Sequence, residues 1–410
     1  MRRLIAAALL SVSVQAFDLP ELIDSAQKNE LVQAYIDRQY AAHLSYKSAK
    51  SSYLPRIDLG GSASYVDEKG SMDVGDTYKA YAEANFVVLD GFRRENLLDE
   101  KRMRKKASDF DLEGYKKALS LQVITLYFDL DKVYSDIAAL QKNREQLKEQ
   151  LERFKLFYGA GIATEEDVQR LNAAVANADY EIASRQFEVD SLQSRLQLLS
   201  GQTLKGKQIK RQIAPPFSSE AKPLDRLDAM AYRIKALGYT AEQADAVYYP
   251  TISLNDTYTY YEHKDYQPAF PMELVDKQNR FTVMLSINLV DFSAASKQKQ
   301  AIKMEQHAMQ QELLFEQKSA DADRELALKA IERAKTLLEA AEKSRTASDK
   351  TFEVVKKKYE ARIVDYIRYL DALTKATEAR AQYHSADSSL NSAYAAYIYN
   401  LGEDPKEYVR

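Results

Sequence analysis

The sequence predicts a mainly α-helical fold with a small β part, assembled from one unit that is written twice. Three observations predict it. The stretch at 53–59, "YLPRIDL", returns at 248–254 as "YYPTISL", an offset of 195 residues. "VLDGF" at 88–92 returns at 289–293 as "LVDFS", and the new offset of 201 then holds to the end, pairing Tyr158 with Tyr359 and Gly201 with Gly402. Each copy contains two long heptad stretches and two short runs in which apolar and polar residues alternate. The 410 residues contain only 12 Gly and 9 Pro, so the elements must be few and long.

Taken in order, residues 1–16 read as a secretory leader. Arg2 and Arg3 precede an apolar run from Leu4 to Val14, and Val14 and Ala16 offer small residues for a peptidase. Removing the leader moves the formal charge from −3 to −5. The first structural repeat spans 17–201, with a helix, strands near 57–66 and 77–90, a long helix 92–158 and a helix 164–200. Leu119, Val123, Leu126, Leu130, Val133 and Ile137 recur at alternating spacings of four and three, the period of supercoiled helices. At 1.5 Å per residue the long helix would reach roughly 100 Å. Gly159 and Gly161 break it, and Thr164 with Asp167 three residues on starts the next. Residues 202–222, with "APPF" and several basic residues, form a linker without heptads. The second repeat spans 223–402, with a helix, strands near 251–261 and 280–291, and helices 292–359 and 364–401. A short tail, 403–410, follows.

The strands need a covered apolar face. In "RFTVMLSINLVDF" at 280–292, Phe281, Val283, Leu285, Ile287 and Leu289 point one way, and Thr282, Ser286 and Asn288 the other. A soluble sandwich shows the same alternation. Strands of about 10 to 12 residues, tyrosines at their ends, and helices already occupied by seams of their own favour a bilayer instead. Past Ala16 no apolar run approaches a transmembrane helix. Four strands leave two open edges, which lipid does not tolerate. Three copies would supply twelve strands.

With its duplicated order of helix, two strands and two helices, its "YLPRIDL", "YYPTISL" and "VLDGF" motifs, and the helical turns "YGAGIATEEDVQRLNAA" and "YEARIVDYIRYLDA", the chain resembles the TolC-like outer-membrane efflux proteins (outer membrane factors) over nearly its whole length. The resemblance implies a homotrimer whose twelve-stranded β-barrel sits in outer-membrane lipid and continues into a periplasmic α-barrel. It implies export of drugs, or of polypeptides by type I secretion, with a periplasmic adaptor (membrane fusion) protein and an inner-membrane RND, ABC or similar pump as partners. Phe281, Val283, Leu285, Ile287 and Leu289 would then face lipid, and Thr282, Ser286 and Asn288 the lumen.

The resemblance also implies a gate at the periplasmic turns. The family's two inward acidic positions fall on Arg368 and Asp371, so an entrance ring would be electrically mixed. Asp167 and Tyr359 match a bracing pair, and the arginine that often joins them falls on Val364. Gly159, Gly161 and Arg362 mark the turns that an adaptor would touch. The alternative reading of Arg368 and Asp371 is an exposed intrahelical pair. Members with a lipidated terminus use a cysteine, and this chain has none. The short tail leaves the helical belt to be built mainly from 202–222.

Other classes fit less well. No phosphate-binding glycine loop, nucleophile elbow or acid–base set points to an enzyme. The four histidines stand apart, so neither metal nor cofactor is expected. Basic and acidic residues are interleaved, which disfavours nucleic acid. A periplasmic coiled-coil adaptor or scaffold would use the heptads but leave four strands unemployed.

Overall fold

A computed structural model describes residues 16–67, 74–204, 207–216, 220–264 and 273–410. The elements run β1 (Ala16–Phe17), α1 (Leu19–Ala26), α2 (Glu30–Ser51), β2 (Arg56–Ser64), β3 (Asp76–Asp90), α3 (Arg93–Gly159) and α4 (Glu165–Ser200), then β4 (Lys207–Gln208), α5 (Asp225–Asp245), β5 (Thr251–Lys264), β6 (Lys277–Ser286), α6 (Ala294–Glu360) and α7 (Tyr366–Asn400). The leader before Ala16 and the loop residues 68–73 and 265–272 lie outside the described residues.

Duplication is visible in the backbone. Helices α3 and α6 are each 67 residues long, and α4 and α7 have 36 and 35. Left-handed residues also recur in register: Gly91 and Phe92 answer to Phe292 and Ser293, Gly161 to Arg362, and Gly201 to Gly402. At Gly91 the backbone allows nothing larger, because an added Cβ would sit 2.7 Å from the Tyr249 Cβ.

The chain falls into two compact units. One comprises residues 35–111 and 226–316 and contains a four-stranded antiparallel sheet in the order β2-β3-β5-β6. A bulge at Val88 shifts the β3–β5 register, so that Leu89, not Val88, lies opposite Ile252.

The other unit comprises residues up to 34, 112–225 and 317–410. Its helices lie in the order α4, α3, α7, α6, as the cross-links between them show. Tyr134 of α3 receives a hydrogen bond from Gln193 of α4, Asp131 of α3 one from Ser388 of α7, and Asp349 of α6 pairs with Arg380 of α7. Small seam residues, Ala327, Ala334, Ala341, Ala372, Ala376 and Ala379, are buried and let α6 and α7 approach closely.

The tail departs from expectation. Residues 403–410 join the linker: Ala214 N–H donates to the Tyr408 carbonyl at 2.8 Å, and Gln212 and Arg410 exchange backbone bonds. Tyr408 is buried, and burial together with Glu403 pushes its hydroxyl up to about 12. The N-terminal segment docks there as well. Phe17 packs edge-on against Tyr127, and Asp18 makes a forked salt bridge to Arg211 that holds its carboxyl below the ordinary range.

Candidate functional site

The sheet has one apolar and one polar face. Residues opposite each other in an antiparallel pair share a face. Val283 stands opposite Leu254 and Leu254 opposite Phe86; Phe281 is followed across the sheet by Asp256, Ala84 and Ile57. Phe281, Val283 and Leu285 are 62, 61 and 68% exposed, so among the described residues nothing covers this face. Asp256 is its one carboxylate among these rows. Thr282 and Ser286 lie on the other face with Asn255, Asn85 and Glu83. There Asn85 donates to Glu83 at 3.0 Å, Asn255 to Asn85 at 2.7 Å and Thr257 to Asn255 at 2.9 Å, a polar network that belongs in water. Tyr81 lies over Gly60 on this face, where a Cβ would come within 2.4 Å of its ring.

The fourth strand is shorter than expected. It ends at Ser286, opposite Thr251, where β5 begins and the supply of backbone partners stops. Ile287, Asn288 and Leu289 therefore lie beyond it, and Ile287, Leu289, Val290 and Phe292 are 53 to 95% exposed.

The second set of predicted residues gathers at the two helical turns. In the first, Ile162 N–H returns to the Phe157 carbonyl at 2.8 Å and Gly161 N–H to Tyr158 at 3.0 Å; in the second, Ile363 returns to Lys358 at 2.8 Å and Arg362 to Tyr359 at 2.9 Å. Both are the same helix-ending motif with a left-handed residue, Gly161 or Arg362, at its pivot. Gly159 is the last residue of α3. Thr164 and Asp167 form a reciprocal capping box on α4, and Asp365 caps α7 through the Arg368 N–H.

The expected brace between Tyr359 and Asp167 is absent. Asp167 is engaged by Thr164, whose hydroxyl and N–H hold its carboxyl below the ordinary value. The Tyr359 hydroxyl instead donates to Gln150 Oε1 at 3.1 Å, and its ring stacks on Tyr369 with centroids 4.9 Å apart. Gln150 is buried, sitting beside a core of Leu147, Leu151, Leu171, Phe352, Tyr366 and Tyr369 that ties the two hairpins together. Val364 is half-buried. Arg368 and Asp371 are both exposed on α7, and Asp371 pairs at 2.8 Å with Lys375 rather than with Arg368. Tyr366 is buried with its hydroxyl lacking a partner, and desolvation raises its pKa.

Gln150, Tyr366 and Lys375 were not singled out from the sequence. The signal for Gln150 was an amide between two heptad leucines; for Lys375 it was a cation four residues after Asp371.

Among the described residues no helix is long and apolar enough to cross a membrane. Residues 22–202 match the outer membrane efflux protein family. The chain is similar in fold to the CmeC outer membrane channel of Campylobacter jejuni (TM-score 0.83, 15% identity, covering 94% of this chain and 85% of that one). It is likewise similar to the outer membrane protein VceC from Vibrio cholerae (0.80, 14%, 94% and 96%). A third similar structure is the MtrE outer membrane channel of Neisseria gonorrhoeae in its open state (0.77, 16%, 94% and 89%). Among curated proteins no sequence match is found. The family match covers most of the first copy, and the second copy repeats its order of elements.

Proposed function

We propose that the chain works as a homotrimer, a twelve-stranded barrel continued by twelve helical columns, which exports drugs or secreted polypeptides handed over by an inner-membrane pump through a periplasmic adaptor. The observation that carries this reading is the internal seam between β3 and β5. Advancing β3 by 201 residues gives the β6 segment, and moving β5 back by 195 gives β2. The pair Phe86–Leu254 then becomes Ile287 with Leu59 of the next copy, and Asp90–Thr251 becomes Asp291 with Arg56 of the next copy. This register gives Ile287 and Asn288 the partners they lack, with Ile287 on the apolar face and Asn288 on the polar one.

The helices support the same assembly. On α6, Leu326, Ala330, Leu337, Ala340, Ser344 and Val354 form a second heptad seam that is exposed and walls part of a groove of about 1130 Å³ shared with α7. On α4, Ala173, Ala176, Tyr180, Ala183 and Phe187 form another. These helices end the row α4, α3, α7, α6. At similar depths from the turns, α4 carries large Tyr180 and Phe187, and α6 carries small Ser344 and Ala340.

The turns would form the gate, with Tyr359, Gln150 and Val364 holding the second hairpin against the first, and Arg368, Asp371 and Lys375 lining the entrance. The adaptor would touch the turns at Gly159, Gly161 and Arg362. A single experiment tests the assembly. The chain has no cysteine, so a Leu59→Cys, Ile287→Cys variant carries only the designed pair. Facing strand residues lie within disulfide reach. Oxidation should give a covalent trimer on a denaturing gel. A monomer only, or stronger linking by Asp58→Cys with Ile287→Cys, contradicts the register.

A further inference from the structure

We infer that the cleft between α6 and α7 bounded by Arg345, Lys350, Arg380 and His384 binds phosphate, free or as a phosphomonoester. This goes beyond the channel reading and does not depend on it. The cleft has a volume of about 420 Å³, and Thr346 and Asp349 complete its walls. Arg345 lies roughly 22 Å along α6 from its last residue, Glu360, and so well away from the turn.

The duplication supplies a comparison. In the first copy Arg144 interrupts the heptad and pairs with Asp179 of α4. Advancing both by 201 residues gives Arg345 and Arg380, two cations where there was an ion pair. Glu145, Glu149 and Ala183 become Thr346, Lys350 and His384, and only Lys148 changes in the other direction, to Asp349. Two cations and three carboxylates in the first copy thus answer to three cations and one carboxylate in the second. A heptad defect that served only helix pairing would keep its carboxylate, because neighbouring guanidiniums repel.

The one carboxylate serves one arginine. Arg380 turns Nε and Nη2 onto the same Asp349 oxygen, each at 2.8 Å, which leaves Nη1 out of that pair. Arg345 is held by its face: its guanidinium carbon lies 3.9 Å from the centre of the Tyr383 ring, and its ion pair with Glu342 is long, at 4.0 Å. A stacked guanidinium keeps its in-plane N–H groups for an acceptor. Lys350 is exposed, and among the described residues no ion pair engages it. His384 packs edge-on against Tyr383, and burial, followed by the charge of Lys210, holds its pKa below the ordinary 6.5. A neutral imidazole has one N–H to donate.

Two guanidiniums fixed by other contacts, an ammonium and an imidazole therefore share one cleft between two helices. A carboxylate offers two oxygens in one plane, which a single arginine satisfies. A phosphate offers three or four around a tetrahedral centre and suits donors arriving from separate helices. Bound there, it would offset the repulsion between the cations of α6 and α7 and tie the two helices together.

The test uses the full-length protein in nanodiscs, in low-salt buffer, titrated calorimetrically with inorganic phosphate, glycerol 3-phosphate and succinate. Both phosphates should bind, and the tighter of the two identifies whether the free ion or the ester is the ligand. Succinate should bind on the order of tenfold more weakly. Arg345→Gln should weaken phosphate binding on the order of tenfold, and Lys350→Gln, an exposed change at the rim, should weaken it severalfold without altering the fold. Arg144→Gln, the same change in the first copy, should leave it unaltered. Phosphate should also raise the thermal midpoint of the wild type but not of Arg345→Gln, because a ligand stabilises only a state that binds it. The proposal is overturned by a wild type that binds no phosphate, by succinate binding as tightly as phosphate, by unchanged binding in Arg345→Gln, or by equal loss in Arg144→Gln and Arg345→Gln. A preparation that conducts in bilayers but binds no phosphate loses this proposal alone.

Discussion

Replacing Phe187 by alanine should break the assembly while leaving each chain folded. Phe187 lies on the outer seam of α4 and is 76% exposed in the single chain. Fully burying such a side chain is worth about 1.5–3 kcal/mol. The fraction still uncovered would therefore contribute about 1–2 kcal/mol at each helix seam, or about 3–6 kcal/mol over three seams. At 1.4 kcal/mol per tenfold, the trimer should dissociate about 10²- to 10⁴-fold more readily. Dilution in mild detergent followed by native mass measurement reads this directly. Far-ultraviolet circular dichroism should not change, because little of the side chain is packed within the chain. Glu181→Ala, an exposed change on the same helix and off the seam, is the control. A variant that resists dilution as well as wild type would refute the placement of α4 against α6 of the next copy.

Two tyrosines of the turn cluster should respond in opposite directions. Tyr359→Phe removes the bond to Gln150 and should lower stability by roughly 1 kcal/mol and raise basal conductance, whereas Tyr366→Phe removes a buried hydroxyl without a partner and should leave the thermal midpoint equal or higher. Burial, and then the neighbouring Asp131 charge, raise the Asp387 pKa above its ordinary 3.8. A raised folded value means that the helices are most favoured while Asp387 is protonated, and that this contribution is lost as pH climbs from about 3.8 through the folded pKa. Asp387→Asn should thus raise the thermal midpoint at neutral pH and have little effect under acid conditions, which a melt series against pH checks. Arg368→Asp should make the entrance more cation-selective, and Lys375→Gln should add to the effect by freeing Asp371; unchanged reversal potentials in bilayers would remove both from the pore.

Long-period features were legible in the sequence because they depend on local order. The heptads, ended in the first copy by Gly159 and Gly161, point to helices at 92–158 and 292–359, and the structure has α3 at Arg93–Gly159 and α6 at Ala294–Glu360. Alternation likewise sorts Phe281, Val283 and Leu285 from Thr282 and Ser286. What was not legible depended on distant or missing partners. The fourth strand was read to residue 291 because its alternation continues past Ser286, yet hydrogen bonding stops where β5 does. The tail's length assigns the belt mainly to 202–222, because nothing in the eight residues 403–410 announces that Val409 bridges Ile213. Asp167 was assigned to Tyr359 by resemblance, but the nearer claim of Thr164, three residues away, satisfies it first.

The most direct test of the channel account is the native mass of the protein extracted from outer membranes in mild detergent. The account predicts a trimer, which supplies the strands that close the barrel. A folded monomer would leave both β2 and β6 unpaired in lipid and would contradict it.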